Sequence, residues 1–165
     1  MKYKNMSAFL LLAITFTVTS FSQDLLSKEE AISQMLVNNF GIKIAENQVD
    51  ISALLALGDV EDGKKVFKKC AACHSINADG KNKIGPKLWN VMFRPVGSIA
   101  DYKYSKALVS YGKEWTWEEM NGFLIKPSKW IKGNKMGFAG LKKEEDRASV
   151  ILYLNENSDN PIPLP

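Results

Sequence analysis

The chain has 165 residues, with 45% hydrophobic and 24% charged side chains, the balance of an ordinary globular protein of one domain plus appended segments. Its net charge of +4 is unevenly spread: residues 58–157 carry 18 Lys and Arg against 12 Asp and Glu, and residues 23–57 carry two Lys against five acids. A basic region of this kind suits nucleic acid or an acidic protein partner. The chain has no nucleic-acid motif and begins like an exported protein, so nucleic acid is set aside.

The first residues read as an export signal. Lys2 and Lys4 are followed by an uncharged apolar stretch, Ala8 to Val18, and the small residues Ser20 and Ser22 place a cut after Ser22. The same segment, residues 1–22, left uncleaved would be a membrane anchor, although it is short for a spanning helix. Residues 23–57 form an N-terminal extension with one amphipathic helix. Ser27 and Glu30 make a capping box, Ala31, Ile32, Met35 and Leu36 recur at helical spacing, and Gly41 ends the run. Ile51 to Leu57 is an apolar run of unassigned structure leading into the main domain.

The main domain spans residues 58–157, and residues 158–165 form a Pro-rich tail. Asp59 caps a helix that carries Val60, Val66 and Phe67 on one face and reaches Cys70. Ser75 to Gly97 is mostly loop. A short helix is expected within Tyr104 to Tyr111, and Thr116 with Glu119 forms a second capping box that opens a helix through Ile125, stopped at Pro127. Another short helix covers Ser128 to Ile131, and the last runs from about Lys143 to Asn155. No segment alternates as a strand does. The fold class is therefore all-α with long loops, and loops this long need something to pack against.

The two cysteines and the single histidine of the chain fall together in Cys70-Ala71-Ala72-Cys73-His74. This is the c-type haem attachment motif. Two thiols three residues apart can each add to a vinyl group on one porphyrin edge, and the adjacent imidazole can bind the iron. A closed zinc site takes four Cys or His ligands, one more than the chain has, and a thioredoxin-like dithiol belongs in a βαβ context that is missing. With no second histidine, a methionine thioether is the natural sixth ligand. Met35 lies outside the domain, and Met92 and Met120 read as core filler. Met136 sits in the Gly-rich stretch Gly133 to Gly140, between two helices, where small neighbours allow close approach to a flat ring.

From Gly58 to Asn157 the sequence resembles the class I cytochromes c, the family of the mitochondrial carrier and its alphaproteobacterial relatives. The resemblance rests on GDVEDGKKVFKKCAACH, IGPKLWNV, the FR of MFRPVG, KYSKAL, FLIKPSKWIKGNKMGFAGLKK and RASVILYL, with His74 and Met136 separated by 62 positions. It implies about five helices wrapped around one covalently attached haem c per chain, with Cys70 and Cys73 as thioethers and His74 and Met136 as axial iron ligands. It implies that the Pro86 carbonyl accepts the imidazole Nδ1–H, that Tyr104, Trp115 and Asn134 bond the propionates, and that Arg94 balances their charge. Gly63, Phe67, Val150 and Tyr153 fall at the crossing of the first and last helices. Lys69, Lys129, Lys135, Lys142 and Lys143 fall where family members meet partners.

The sequence departs from the family at Phe123, where many relatives have a tyrosine near the axial sulfur, and in its acidic segment before Gly58. The function implied is one-electron transfer in a respiratory chain by a monomer. The donor would be a quinol–cytochrome c reductase and the acceptor a terminal cytochrome c oxidase, and a haem peroxidase is the weaker alternative. The location implied is the periplasm, soluble or tethered to the inner membrane through the N-terminal segment alone.

Overall fold

The computed structural model describes residues 49–165, together with Lys28, Ile32 and Met35. The chain divides into two compact units, Met1–Gln48 and Val49–Pro165. In the first, Lys28, Ile32 and Met35 are helical and exposed, and the export segment lies outside the described residues. No helix among the described residues is long and apolar enough to cross a membrane.

The second unit opens with α1 (Ile51–Leu55), which lies in the apolar run that carried no sequence assignment. The Asp50 carboxylate caps it, accepting from the backbone N–H of Ser52 and Ala53 at 3.0 and 3.1 Å. Five residues do not hold a helix alone. This one is held by burial of Leu54 and Leu55 and by packing on the last helix.

Next comes α2 (Val60–Ala71), capped by Asp59 on the N–H of Asp62 at 2.9 Å. Glu61 and Asp62 lie in its first turn and Lys68 and Lys69 in its last, each sign matched to the helix dipole. Gly63, Val66 and Phe67 form its buried face against α6 (Glu144–Glu156), the most extensive helix pairing in the unit. A Cβ at Gly63 would overlap the Ser149 carbonyl, so only glycine lets the two backbones cross this closely. Phe67 and Tyr153 pack ring to ring beside the crossing, with centroids 5.4 Å apart.

Between α2 and α6 lie three short helices joined by long loops: α3 (Lys106–Val109), α4 (Trp117–Ile125) and α5 (Pro127–Trp130). Among the described residues the only strand-like pairing is an isolated bridge between Pro95 and Glu114. α3 occupies half of the stretch from Tyr104 to Tyr111. Its Ser105 hydroxyl caps at the N–H of Leu108, so the first helical residue is Lys106. The core gathers Val66 and Phe67 of α2, Val91, Met92 and Val96 of the long loop, Met120, Phe123 and Leu124 of α4, and Val150, Ile151 and Leu154 of α6.

The tail folds back onto the unit. Asn155 donates to the Ile162 carbonyl at 2.9 Å and accepts its N–H at 3.0 Å. Asp159 Oδ2 accepts from Trp89 Nε1 at 3.2 Å and Asn90 Nδ2 at 2.5 Å, while Asn90 Oδ1 accepts the Asp159 N–H at 2.8 Å. The Ser52 hydroxyl donates to the Pro165 carbonyl at 3.3 Å. The compact unit is therefore wider at both ends than residues 58–157, because α1 and the tail both pack onto it.

Candidate functional site

Cys70 ends the buried side of α2, and the chain keeps turning beyond it. The backbone N–H groups of Cys73 and His74 both donate to the Cys70 carbonyl at 3.0 Å, so two thiols and an imidazole share one turn. Both thiols are free and half-buried. Burial pushes the Cys70 thiol up, against the pull of neighbouring Lys69. A neutral thiol beside a buried apolar surface suits S–H addition to a vinyl group, which creates no charge.

His74 is buried. Burial pushes its pKa down, and the hydrogen bond to Pro86 opposes that while Lys83 reinforces it. The Pro86 carbonyl lies 2.7 Å from Nδ1. A carbonyl only accepts, so Nδ1 carries the proton and Nε2 is left as the lone-pair donor. The loop that supplies this carbonyl is sewn to the motif: Gly85 N–H donates to Cys73 O at 2.8 Å and Leu88 N–H to Ser75 O at 2.8 Å. A Cβ at Gly85 would run into the imidazole ring, so glycine is what lets the loop lie flat against it.

Met136 belongs to a strap between α5 and α6. Asn134 Nδ2 donates to the carbonyls of Pro127 and Ile131, each at 2.7 Å, and Asn134 Oδ1 accepts the Met136 N–H at 2.8 Å. Both amide hydrogens of Asn134 thus go to backbone, and its role in this structure is to root the strap on α5. At the other end Gly140 has φ +98, a Cβ there would collide with the Ile125 carbonyl, and Leu141 N–H donates to Leu124 O at 2.8 Å. Met136 and Phe138 are half-buried against the core, whereas Met92 and Met120 are fully inside it. Phe123 is buried too and packs edge-on to Trp115, with centroids 4.8 Å apart.

The long loops between α2 and α4 carry Arg94, Tyr104 and Trp115. The half-buried Arg94 guanidinium donates to the carbonyls of Trp89 at 2.9 Å and Lys87 at 3.2 Å, and among the described residues no carboxylate pairs with it. Burial pushes its pKa down, and nearby Tyr104 opposes this. Burial likewise pushes the Tyr104 phenol up. A half-buried cation without an acid partner calls for an anion from outside the chain. The carboxylate side groups of a haem meet that need. With two free thiols, one nitrogen lone pair and a strapped thioether in the same unit, the residues present fit the group.

One polar centre escaped sequence reasoning. Thr116 Oγ1 accepts the Glu119 N–H at 3.3 Å, but the Glu119 carboxylate does not close the capping box. It accepts instead from Tyr111 Oη at 2.6 Å, Trp130 Nε1 at 2.8 Å and Lys113 Nζ. No local spacing signals this, because the donors come from a loop and a different helix. Lys69, Lys129, Lys135, Lys142 and Lys143 are all exposed, and Lys69 pairs with Asp146 at 3.1 Å.

An all-α unit with long loops, an attachment motif on one turn and a strapped thioether defines the class: a haem protein built to carry electrons. The sequence profile of the cytochrome c family matches residues 60–158. A cytochrome c homolog of Rickettsia prowazekii is 44% identical over 124 residues, which cover 75% of this chain and 71% of that protein. Cytochrome c2 of Agrobacterium tumefaciens is 45% identical over 100 residues, covering 59% of this chain and 90% of its own. Among solved structures, cytochrome cH from Methylobacterium extorquens matches with a TM-score of 0.57 and 35% identity, covering 60% of this chain and 99% of its own. The chain belongs to the cytochrome c family. It is accordingly a monohaem electron carrier with covalently attached haem c and redox protein partners, and not an enzyme.

Proposed function

We propose that this protein is a respiratory shuttle of the periplasm, moving single electrons from a quinol–cytochrome c reductase to a terminal oxidase, with its haem iron held by His74 and Met136. Cys70 and Cys73 supply the two thioethers. When bound, the haem stores one electron as its iron passes between the ferric and ferrous states. The observation that carries the reading is the fixed tautomer of His74: the 2.7 Å approach of Pro86 O to Nδ1 leaves Nε2 as a ligand of defined direction.

The remaining roles belong to the chain. Asn134 holds the backbone of Met136 so that its thioether approaches from a strap pinned at both ends. Thioether ligation raises the reduction potential, as a carrier ending at an oxidase needs. Arg94, Tyr104 and Trp115 face the propionates. The five exposed lysines face the partners, and the carrier works as a monomer. Residues 1–22 are the export signal, cut after Ser22, and residues 23–57 are an extension whose end, α1, is built into the carrier.

One preparation tests this. In the natively matured protein, intact mass should equal the chain from Gln23 plus one haem. Its ferric spectrum should show the sulfur-to-iron charge-transfer band, and Met136→Ala should lack that band and have a lower potential. A Met136→Ala spectrum identical to wild type would refute the ligand assignment, and a mass without haem would refute the attachment.

A further inference from the structure

We infer that Glu119 is a positioning residue for Met136, linking the strap that carries the sulfur to the paired loop segments that carry Arg94 and Trp115. The inference rests on Met136 being the iron ligand.

The link can be followed atom by atom. Glu119 sits on α4 and is buried. Its Oε2 accepts from Trp130 Nε1 at 2.8 Å, and Trp130 is the last residue of α5. α5 and the residue after it supply the Pro127 and Ile131 carbonyls that hold Asn134 Nδ2 at 2.7 Å, and Asn134 Oδ1 holds the Met136 N–H at 2.8 Å. On its other side the same carboxylate accepts from Tyr111 at 2.6 Å and from Lys113. Lys113 O accepts the Val96 N–H at 2.9 Å, and two residues further Trp115 and Arg94 are joined by Trp115 N–H to Arg94 O at 3.0 Å. One carboxylate thus lies between the root of the strap and the loop segments that carry Arg94 and Trp115.

α5 is anchored at its start by Pro127, which is fully buried, and just beyond its end by Ile131, 3% exposed, but its exposed face is held differently. The helix has four residues and no side-chain cap, and Trp130 is 44% exposed. A helix so short has little stability of its own. Its indole is fixed at two points: the nitrogen on Glu119, and the ring edge against Gly122 of α4, where a Cβ would collide with it. Removing the Glu119 acceptor leaves the ring contact but frees the hinge of the strap. Charge-assisted bonds of this kind are about twice as strong as neutral ones, so the carboxylate is a stronger tether than an amide in its place.

The experiment uses the haem-loaded full chain and asks how readily the ferric iron exchanges its sulfur for added imidazole. The variants are Glu119→Gln, Trp130→Phe and the pair together. Met136→Ala is the reference for an open site, and Ile151→Val is a core variant on α6 that leaves every hydrogen bond of the Glu119–Trp130–Asn134 chain in place. Trp130→Phe should tighten apparent imidazole binding about tenfold, the effect of one lost charge-assisted hydrogen bond on the open population, and Glu119→Gln, which keeps a neutral acceptor, about threefold. The double variant should exceed the larger single one by little, because both act through one bond. Ile151→Val should lower thermal stability and leave imidazole binding at the wild-type level. Wild-type imidazole binding in both Glu119→Gln and Trp130→Phe, with Met136→Ala open, overturns the inference and spares the ligand assignment. Tightening in Ile151→Val to match Trp130→Phe also overturns it, because the effect is then general loosening. If Met136→Ala binds imidazole as wild type does, the ligand assignment fails and the inference with it.

Discussion

A phenol, an indole and an ammonium group all converge on the Glu119 carboxylate. Burial raises its pKa, but the hydrogen bonds from Lys113, Tyr111 and Trp130 outweigh this and leave it below the ordinary carboxylate value. A carboxyl whose folded pKa is depressed stabilises the fold above its unfolded pKa, and loses that contribution as pH falls through the folded value. The stability difference between wild type and Glu119→Gln should therefore be full at pH 7 and shrink below about pH 4. Urea titrations of both proteins at the two pH values check this, and a constant gap would show that charge plays no part. The sequence announced Glu119 only as the last member of a capping box, a local pattern that assigns its carboxylate to a helix end. The donors that claim it lie six to eleven positions away on other elements. Cys70, Cys73 and His74 were legible because their geometry is local, one turn of chain. Asn134 was assigned by likeness to the propionates, yet the carbonyls of Pro127 and Ile131 take both its amide hydrogens.

At the scale of elements, α2 and α4 were readable from caps and apolar spacing, and α6, which has no side-chain cap, from spacing alone. The helix α1 was not. Five residues cannot display a period of 3.6, and its stability comes from α6, a partner about ninety positions away. The tail was equally opaque, since nothing in a Pro-rich run reveals that a buried asparagine waits for it. Removing residues 158–165 leaves the Asn155 amide, buried at 5% exposure, without its Ile162 partners. It also frees Trp89 and Asn90, next to the carbonyls that hold Arg94. The truncated protein should lose about 3 kcal/mol, most of it the cost of leaving the buried Asn155 amide unpaired, and its Tm should fall by roughly 10–15 °C. Calorimetry of the haem-loaded protein measures this, and an unchanged Tm would mean the tail rests on the unit without holding it.

For the molecule as a whole, charge decides behaviour more than fold does. The stretch 58–157 carries 18 basic residues against 12 acidic ones, and Lys129, Lys135, Lys142 and Lys143 are exposed. Electrostatic steering of such a surface toward an acidic partner acts over a Debye length, which shrinks from about 30 Å at 0.01 M salt to about 3 Å at 1 M. The bimolecular rate of electron transfer to an isolated oxidase should fall steeply over that range, while the intramolecular rate within a preformed complex stays flat. Stopped-flow traces at several salt concentrations separate the two, and a salt-independent bimolecular rate would argue for an uncharged docking face.

The hydrogen bond from the Ser52 hydroxyl to the Pro165 carbonyl, 3.3 Å long, brings the entry and exit of the carrier unit to one spot. A ring can be closed there. A short glycine–serine bridge from Pro165 to Val49 spans the join, and new ends can be opened in the exposed turn at Asp101, clear of the attachment turn and of the strap. A circular permutant made this way keeps the neighbours of Cys70, His74 and Met136 in their original order.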